Sequence, residues 1–235
     1  MTLALDDMVG ELLDYLIAKG LLENTIVVFT SDHGTQMGAH DWQPWQKKVP
    51  YEESMRVPML VRYPGGLESG RTCDILTAPV DIFPSLCSLC GVSVPQTVEG
   101  HDLSEAWQGQ PNAFEQEAIF TMNFTASYNY LVDGDEWRGV RTKTASYVQW
   151  LNGAKELYDL QNDPLQMHNL ACQEEAKLLQ SRMETCLAAL MAKRNDRLMK
   201  CSSYKDWFDN QRRVVRNASG ALAFPEKEPD WSLLT

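Results

Sequence analysis

Two side chains that can bind a metal ion stand side by side where an apolar run ends. Residues 27–29 are Val-Val-Phe, and Asp32, His33 and Gly34 follow two residues later. Short apolar, β-branched runs of this kind are typical of buried strands in a parallel sheet. Ligands of open α/β sheets collect at the carboxyl ends of the strands, so Asp32 and His33 are candidate metal ligands. A solvated polar turn is the alternative interpretation of the same residues.

The residues downstream of this turn add further polar groups in a definite order. A loop carrying His40 leads to Trp-Gln-Lys ending at Lys47, then to Tyr-Glu-Glu-Ser at 51–54 and Arg-Val-Pro at 56–58. Another apolar run, expected to be a strand, occupies 58–63. This succession of elements resembles the sulfatase family of the alkaline phosphatase superfamily.

The resemblance implies a role for each matched residue. Asp32 and His33 would bind a divalent cation, calcium or magnesium, and Lys47 would hold the sulfate group. His40 lies in the same loop, with a longer spacing to Lys47 than is common in the family. It is a candidate for the group that protonates the leaving alcohol, although the usual acid of the family lies upstream. Taken alone, Lys47 and its neighbour Lys48 could equally be a solvated pair.

The resemblance also draws attention to a motif that this sequence lacks. Sulfatases use a formylglycine nucleophile made from the Cys or Ser of a Cys/Ser-x-Pro/Ala-x-Arg motif, and no Cys or Ser here is followed by that pattern. A calcium site takes about 6–8 oxygen ligands and a magnesium site about six, whereas Asp32 and His33 offer two groups. We therefore expect the chain to be the C-terminal half of a sulfatase, a fragment or one piece of a split protein that lacks the half with the nucleophile.

Hydrophobic periodicity predicts an α/β fold in two parts and a tail. Helical patterns occupy 3–19, 77–90 and 174–197, strand patterns occupy 27–30, 58–63 and 118–124, and short aromatic and β-branched runs between turns fill 137–160. We expect part of a mixed central sheet flanked by helices, followed by a small antiparallel sheet with a helix. The predicted divisions are a part of the catalytic domain at 1–125, a small α+β subdomain at 126–199 and a tail at 200–235.

Composition excludes some classes of protein and leaves others open. The formal charge of −11 argues against nucleic-acid binding, which usually needs a basic face. No apolar run approaches the roughly 20 residues that span a bilayer, and residues 1–7 lack the features of a signal peptide. The resemblance nevertheless implies a secreted, periplasmic or lysosomal protein. The pairing of the six cysteines cannot be assigned from their spacing.

Three functions are compatible with these observations. The first is hydrolysis of a sulfate ester of a small molecule or glycan in the complete protein, with this chain inactive alone. The second is a phosphodiesterase or phosphonate hydrolase of the same superfamily. The third is a non-catalytic module that keeps part of the fold for binding or pairing.

Overall fold

The computed structural model describes residues 2–124, 133–207, 216–217 and 220–221. The helices are α1 (Thr2–Ala18), α2 (Glu52–Met55), α3 (Pro79–Leu89), α4 (Ser104–Gln108) and α5 (Lys177–Lys193). The strands are β1 (Val27–Thr30), β2 (Met59–Arg62), β3 (Ile119–Asn123), β4 (Trp137–Arg141), β5 (Ala145–Trp150), β6 (Lys155–Asp159), β7 (Arg216–Asn217) and β8 (Gly220–Ala221). The predicted α/β class, with helices and a C-terminal antiparallel sheet, is confirmed.

The strand that ends at the candidate metal ligands is antiparallel to its neighbour. β1 pairs with β2 from Val27 opposite Arg62 to Thr30 opposite Met59. The prediction of a buried parallel strand is therefore wrong on both points. The chain between the two strands turns back, so that β2 runs antiparallel to β1. The side chains of 27–29 are only half-buried. An apolar run alone cannot distinguish these arrangements, since strand direction is set by the connection.

Helix α1 matches its predicted extent but not the burial expected of an amphipathic helix. None of its residues is buried among the residues that the structure describes. Leu3, Met8 and Ile17 are more than half exposed. The apolar stripe of α1 is thus available as a contact surface.

The largest core lies between the four-stranded sheet and α5. The strand order is β3-β4-β5-β6 with every pair antiparallel. Val140, Tyr147 and Leu157 of the sheet pack on Met183 and Leu187 of α5, all of them buried. Strand β3 lies before the predicted division at 125/126 yet pairs with β4, while the domain division itself stays a prediction.

The opposite face of this sheet looks toward the segment that follows β1. Side chains alternate between faces along a strand, so Trp137, Arg141, Glu156 and Tyr158 lie on the side away from the α5 core. Trp137 and Arg141 contact residues 48 and 52 directly. The sheet is therefore shared between the C-terminal core and the candidate site.

Two buried charged side chains fasten the beginning of the predicted tail to the sheet. Nη2 of Arg138 donates to the hydroxyl oxygen of Tyr204 over 3.3 Å, and the Glu136 carboxylate accepts a hydrogen bond from the backbone N–H of Cys201. Residues 201–207 form a 3₁₀ segment; most of the predicted tail lies outside the described residues. No helix in the described residues combines the length and the apolar character required to cross a bilayer.

Candidate functional site

Asp32 and His33 lie together where β1 ends. Nε2 of His33 is 3.2 Å from Oδ2 of Asp32, whose side chain is 81% exposed. The backbone N–H of His33 donates to Oδ1 of Asp32 over 2.9 Å. This hydrogen bond is the main reason that the pKa of Asp32 is lower than usual. The carboxylate is thus held in the ionised form that a metal ion requires.

The pair does not by itself satisfy a hard cation. In the parts of the chain that the structure describes, no cluster of three or more His, Cys, Asp or Glu side chains is arranged to hold a metal ion. One carboxylate and one imidazole fall well short of the six or more oxygen ligands of calcium or magnesium. Asp32 and His33 therefore make at most part of such a site.

Gly34 allows the chain to return close to the strand end. Its backbone N–H donates to the carbonyl of Ser54 over 2.8 Å. A Cβ atom at this position would lie 1.9 Å from the carbonyl oxygen of Glu53. The buried Gln36 adds a second tie, because its Nε2 donates to Oγ of Ser54 over 2.7 Å. The close contact requires glycine here, and it fixes the Tyr-Glu-Glu-Ser segment beside Asp32 and His33.

The Lys47 side chain is exposed to solvent, while the backbone around it is held in place. Oε1 of Gln46 accepts hydrogen bonds from the backbone N–H groups of Lys47 and Lys48, at 2.9 and 3.1 Å. The carbonyl of Lys48 accepts a hydrogen bond from Nε1 of Trp137 over 2.8 Å. A fixed backbone under an exposed ammonium group suits the binding of an anion from solution.

His40 is turned inward, unlike Lys47. Its side chain is 10% exposed, and Nε2 lies 3.5 Å from Oε2 of Glu53. The imidazole stacks on the ring of Tyr51, with centroids 3.9 Å apart and planes 9° from parallel. The φ angle of His40 is +54°, in the left-handed region that costs a non-glycine residue free energy. The inward position of this imidazole therefore comes with an unfavourable backbone conformation of the loop.

Three contacts from the C-terminal part hold the segment between Lys47 and Glu53. Arg141 approaches Glu52 with two nitrogens, Nε at 2.9 Å from Oε1 and Nη2 at 3.1 Å from Oε2. Oε1 of the buried Gln166 accepts the backbone N–H of Glu52 over 2.7 Å. With the Trp137 bond to residue 48, these contacts make the four-stranded sheet a support for the loop.

The structure therefore brings the predicted residues together in two groups rather than one. The side chain of Asp32 contacts that of His33, and the side chain of His40 contacts those of Tyr51 and Glu53. Within the described residues, no hydrogen bond or ion pair joins the side chains of the first group to those of the second. Sequence reasoning did not identify Glu53, Tyr51 or Gln166. The first two lie in the recognised Tyr-Glu-Glu-Ser motif, whereas nothing in the sequence around Gln166 indicates its contact.

Comparison with known proteins decides the family. The profile of the family described as N-sulphoglucosamine sulphohydrolase, C-terminal, matches residues 38–193. The chain belongs to the sulfatase family. The match covers the loop with His40 and Lys47, the four-stranded sheet and α5. The chain therefore corresponds to the C-terminal portion of a sulfatase.

Individual relatives of this sulfatase chain agree. It is 39% identical over 197 residues to an ulvan-active sulfatase of Formosa agariphila. This alignment covers 82% of this chain and 38% of that protein. The chain is 33% identical over 175 residues to an N-acetylglucosamine-6-O-sulfatase of Bacteroides thetaiotaomicron, covering 72% of this chain and 30% of that protein. The chain thus spans about a third of the length of these relatives.

Solved structures show the same partial overlap. A protein solved in complex with its substrate D-glucosamine-2-N,6-O-disulfate superposes with a TM-score of 0.73 at 28% identity, covering 90% of this chain and 40% of the other. A phosphonate monoester hydrolase of Agrobacterium radiobacter gives a TM-score of 0.70 at 23% identity, covering 95% of this chain and 43% of the other. The second match shows that the fold is shared beyond the sulfatases.

Proposed function

We propose that this chain carries the sulfate-binding part of a sulfuric ester hydrolase that acts on a sulfated small molecule or glycan. The observation that carries the proposal is the exposed Lys47 on a fixed backbone, within a loop that the sulfatase family profile matches. The names of two relatives, an ulvan-active sulfatase and an N-acetylglucosamine-6-O-sulfatase, support a sulfated glycan as substrate.

The chemistry of Lys47 suits this role. A lysine ammonium group is a compact charge with three rotatable donors, which can meet the oxygens of a tetrahedral sulfate. As the ester bond breaks, this charge offsets the negative charge on those oxygens. His40 is the candidate that gives a proton to the leaving alcohol, because an imidazole can carry a proton near neutral pH.

The cation is a proposal of its own. Asp32 and His33 would be two of the ligands of Ca²⁺ or Mg²⁺, and the remaining ligands would come from outside the described residues. A bound cation of this kind supplies charge that polarises a sulfate oxygen. The exposed, ionised carboxylate of Asp32 supports this assignment.

The nucleophile is not among these 235 residues, because no Cys or Ser lies in the Cys/Ser-x-Pro/Ala-x-Arg motif. We propose that it comes from polypeptide that corresponds to the part of the relatives that this chain does not match. The 235 residues alone are then expected not to hydrolyse sulfate esters. The exposed apolar residues of α1 support this view, because such a stripe usually marks a contact surface.

The experiment compares substrates with the native polypeptide that carries these residues. It is assayed with 4-nitrophenyl sulfate, bis(4-nitrophenyl) phosphate and a phenyl phosphonate monoester, beside the 235-residue chain alone. The proposal predicts turnover of the sulfate ester by the native polypeptide, lost on chelation of divalent cations, and none by the 235 residues. Preference for a phosphorus ester would instead support the phosphonate hydrolase alternative, with which the shared fold is compatible. Turnover of none of the three would support a binding module.

A further inference from the structure

His40 belongs to a cluster of polar and aromatic side chains. On one side, the imidazole stacks on Tyr51 at 3.9 Å. On another, its Nε2 is 3.5 Å from Oε2 of Glu53. That oxygen is buried and has no hydrogen-bond partner among the described residues. Since a buried carboxylate oxygen without a partner is costly, the position of the His40 ring matters for the stability of the loop.

The position of the Tyr51 ring is set by the C-terminal sheet. The Tyr158 ring of β6 lies 6.2 Å from it, with planes tilted by 58°. Glu156, also on β6, carries a negative charge that acts on the phenol of Tyr51. Burial and then the negative charge of Glu156 raise the pKa of Tyr51, so the phenol keeps its proton as a donor.

Glu156 is itself fixed by two donors. Nε1 of Trp150 donates to its Oε1 over 2.7 Å. The hydroxyl of Tyr158 donates to its Oε2 over 3.3 Å. Burial raises the pKa of Glu156 despite these hydrogen bonds. A carboxylate buried at this cost, with donors converging on it, is a fixed point on the rigid sheet to which the loop is attached.

We propose that Glu156 is a positioning residue for His40: its carboxylate holds the hydroxyl of Tyr158, and the Tyr158 ring packs beside the ring of Tyr51, which holds the imidazole of His40 against Glu53. The C-terminal sheet would thereby orient a side chain of the candidate site that lies more than a hundred residues earlier in the chain. The consequence of this placement for catalysis rests on the proposed function, in which His40 is the proton donor. The placement of the ring does not.

The experiment reads the imidazole of His40 directly by NMR. The 235-residue chain has four histidines, and the ¹H–¹³C signal of the His40 ring is assigned by its loss in His40→Gln. Because the ring lies over the face of Tyr51, its protons are expected upfield of an unstacked histidine. Glu156→Gln and Tyr158→Phe are then measured. The second variant keeps the aromatic ring and removes only the hydroxyl that Glu156 holds.

Both variants are expected to lose the upfield shift of His40 while leaving the other histidine signals in place. The matched control is Glu184→Gln. It removes a carboxylate on α5 that accepts hydrogen bonds from three side chains, and it is expected to leave the His40 signal unchanged. The proposal is overturned if His40 shows no upfield shift in the unaltered chain, if either test variant keeps the shift, or if the control loses it. No sulfate ester or cation is added, so this result is independent of the substrate comparison.

Discussion

At the scale of single residues, Gly34 decides how the candidate site is shaped. The Tyr-Glu-Glu-Ser segment approaches the strand end so closely that the carbonyl of Glu53 occupies the space of a side chain at position 34. The strand end that carries Asp32 and His33 is therefore tied to the Tyr-Glu-Glu-Ser segment through a backbone contact. The glycine of the Ser-Asp-His-Gly sequence is therefore required for steric reasons, in addition to being part of a recognised pattern.

Replacing Gly34 with alanine is expected to destabilise the chain. The added methyl group must displace the backbone of Glu53, and overpacking of this kind costs about 1–3 kcal/mol. The measurement is urea-induced unfolding. Gly10→Ala is the matched control, because nothing lies within 4 Å of a Cβ added there, and it should raise stability by up to about 1 kcal/mol. Equal effects of the two substitutions would show that the Gly34 contact is not formed.

The sequence alone names the candidate residues of the site, whereas their surroundings are visible only in the structure. Asp32, His33, His40 and Lys47 were recognisable because they sit in a continuous pattern of residue types. That Asp32 and His33 meet follows from adjacency at a strand end. The inward orientation of His40 did not follow, because it depends on a left-handed φ angle and on a Tyr51 ring held by the distant β6.

At the scale of elements, helix α5 is joined to the sheet by one carboxylate as well as by its apolar core. Oε1 of Glu184 accepts hydrogen bonds from Lys155 at 2.8 Å, Gln180 at 2.8 Å and Tyr147 at 3.0 Å. The Lys155 ammonium group is the main cause of a lowered pKa for Glu184, followed by the amide of Gln180. In return, burial and the Glu184 carboxylate raise the pKa of Tyr147.

This lowered pKa predicts a pH dependence of stability. A carboxyl group whose pKa is lower in the folded chain stabilises it above the unfolded-state pKa, which is 4.5 for glutamate. The contribution disappears as the pH falls from there through the folded-state pKa. Glu184→Gln should therefore destabilise the chain at neutral pH and have a smaller effect near about pH 3. Urea unfolding at the two pH values tests this, and a destabilisation of the same size at both would contradict it.

Periodicity located the long elements because each has a pattern of its own. The helix predicted at 77–90 is found at Pro79–Leu89, where Pro79 opens the helix and Oδ2 of Asp81 accepts the backbone N–H of Ala78 over 2.8 Å. The predicted parallel direction of β1 is wrong, because strand pairing depends on two segments that are distant in the sequence. The apolar stripe of α1 likewise gave no information about what would cover it.

At the scale of the whole molecule, the C-terminal sheet packs on α5 with one face and supports the candidate site with the other. Gln166 is central to the second task. Its buried amide group accepts the N–H of Glu52 over 2.7 Å, and its Nε2 lies 3.5 Å from the carbonyl of Pro50. Such a long-range contact between a loop and a turn leaves no periodic trace in the sequence, which is why only the structure reveals it.

Gln166→Ala is expected to loosen the loop without unfolding the sheet. The N–H of Glu52 would lose its acceptor, and an unsatisfied buried group costs about 1–3 kcal/mol. Hydrogen exchange at the Glu52 amide should become faster by one to two orders of magnitude, while the amides of β5 keep their protection. Gln161→Ala, at an exposed turn position, is the control. Unchanged exchange at Glu52 would mean that Gln166 does not hold the loop.

The central claim is that Lys47 serves a sulfatase, and one comparison of variants tests it most directly. Hydrolysis of 4-nitrophenyl sulfate is measured with the native polypeptide as it is, with Lys47→Ala and with Lys177→Ala, whose lysine is exposed and pairs with Glu174 on the surface. Removing a charge that stabilises the transition state is expected to lower kcat/KM by about 100-fold or more, whereas the Lys177 variant keeps the original value. Equal hydrolysis by all three forms would contradict the account.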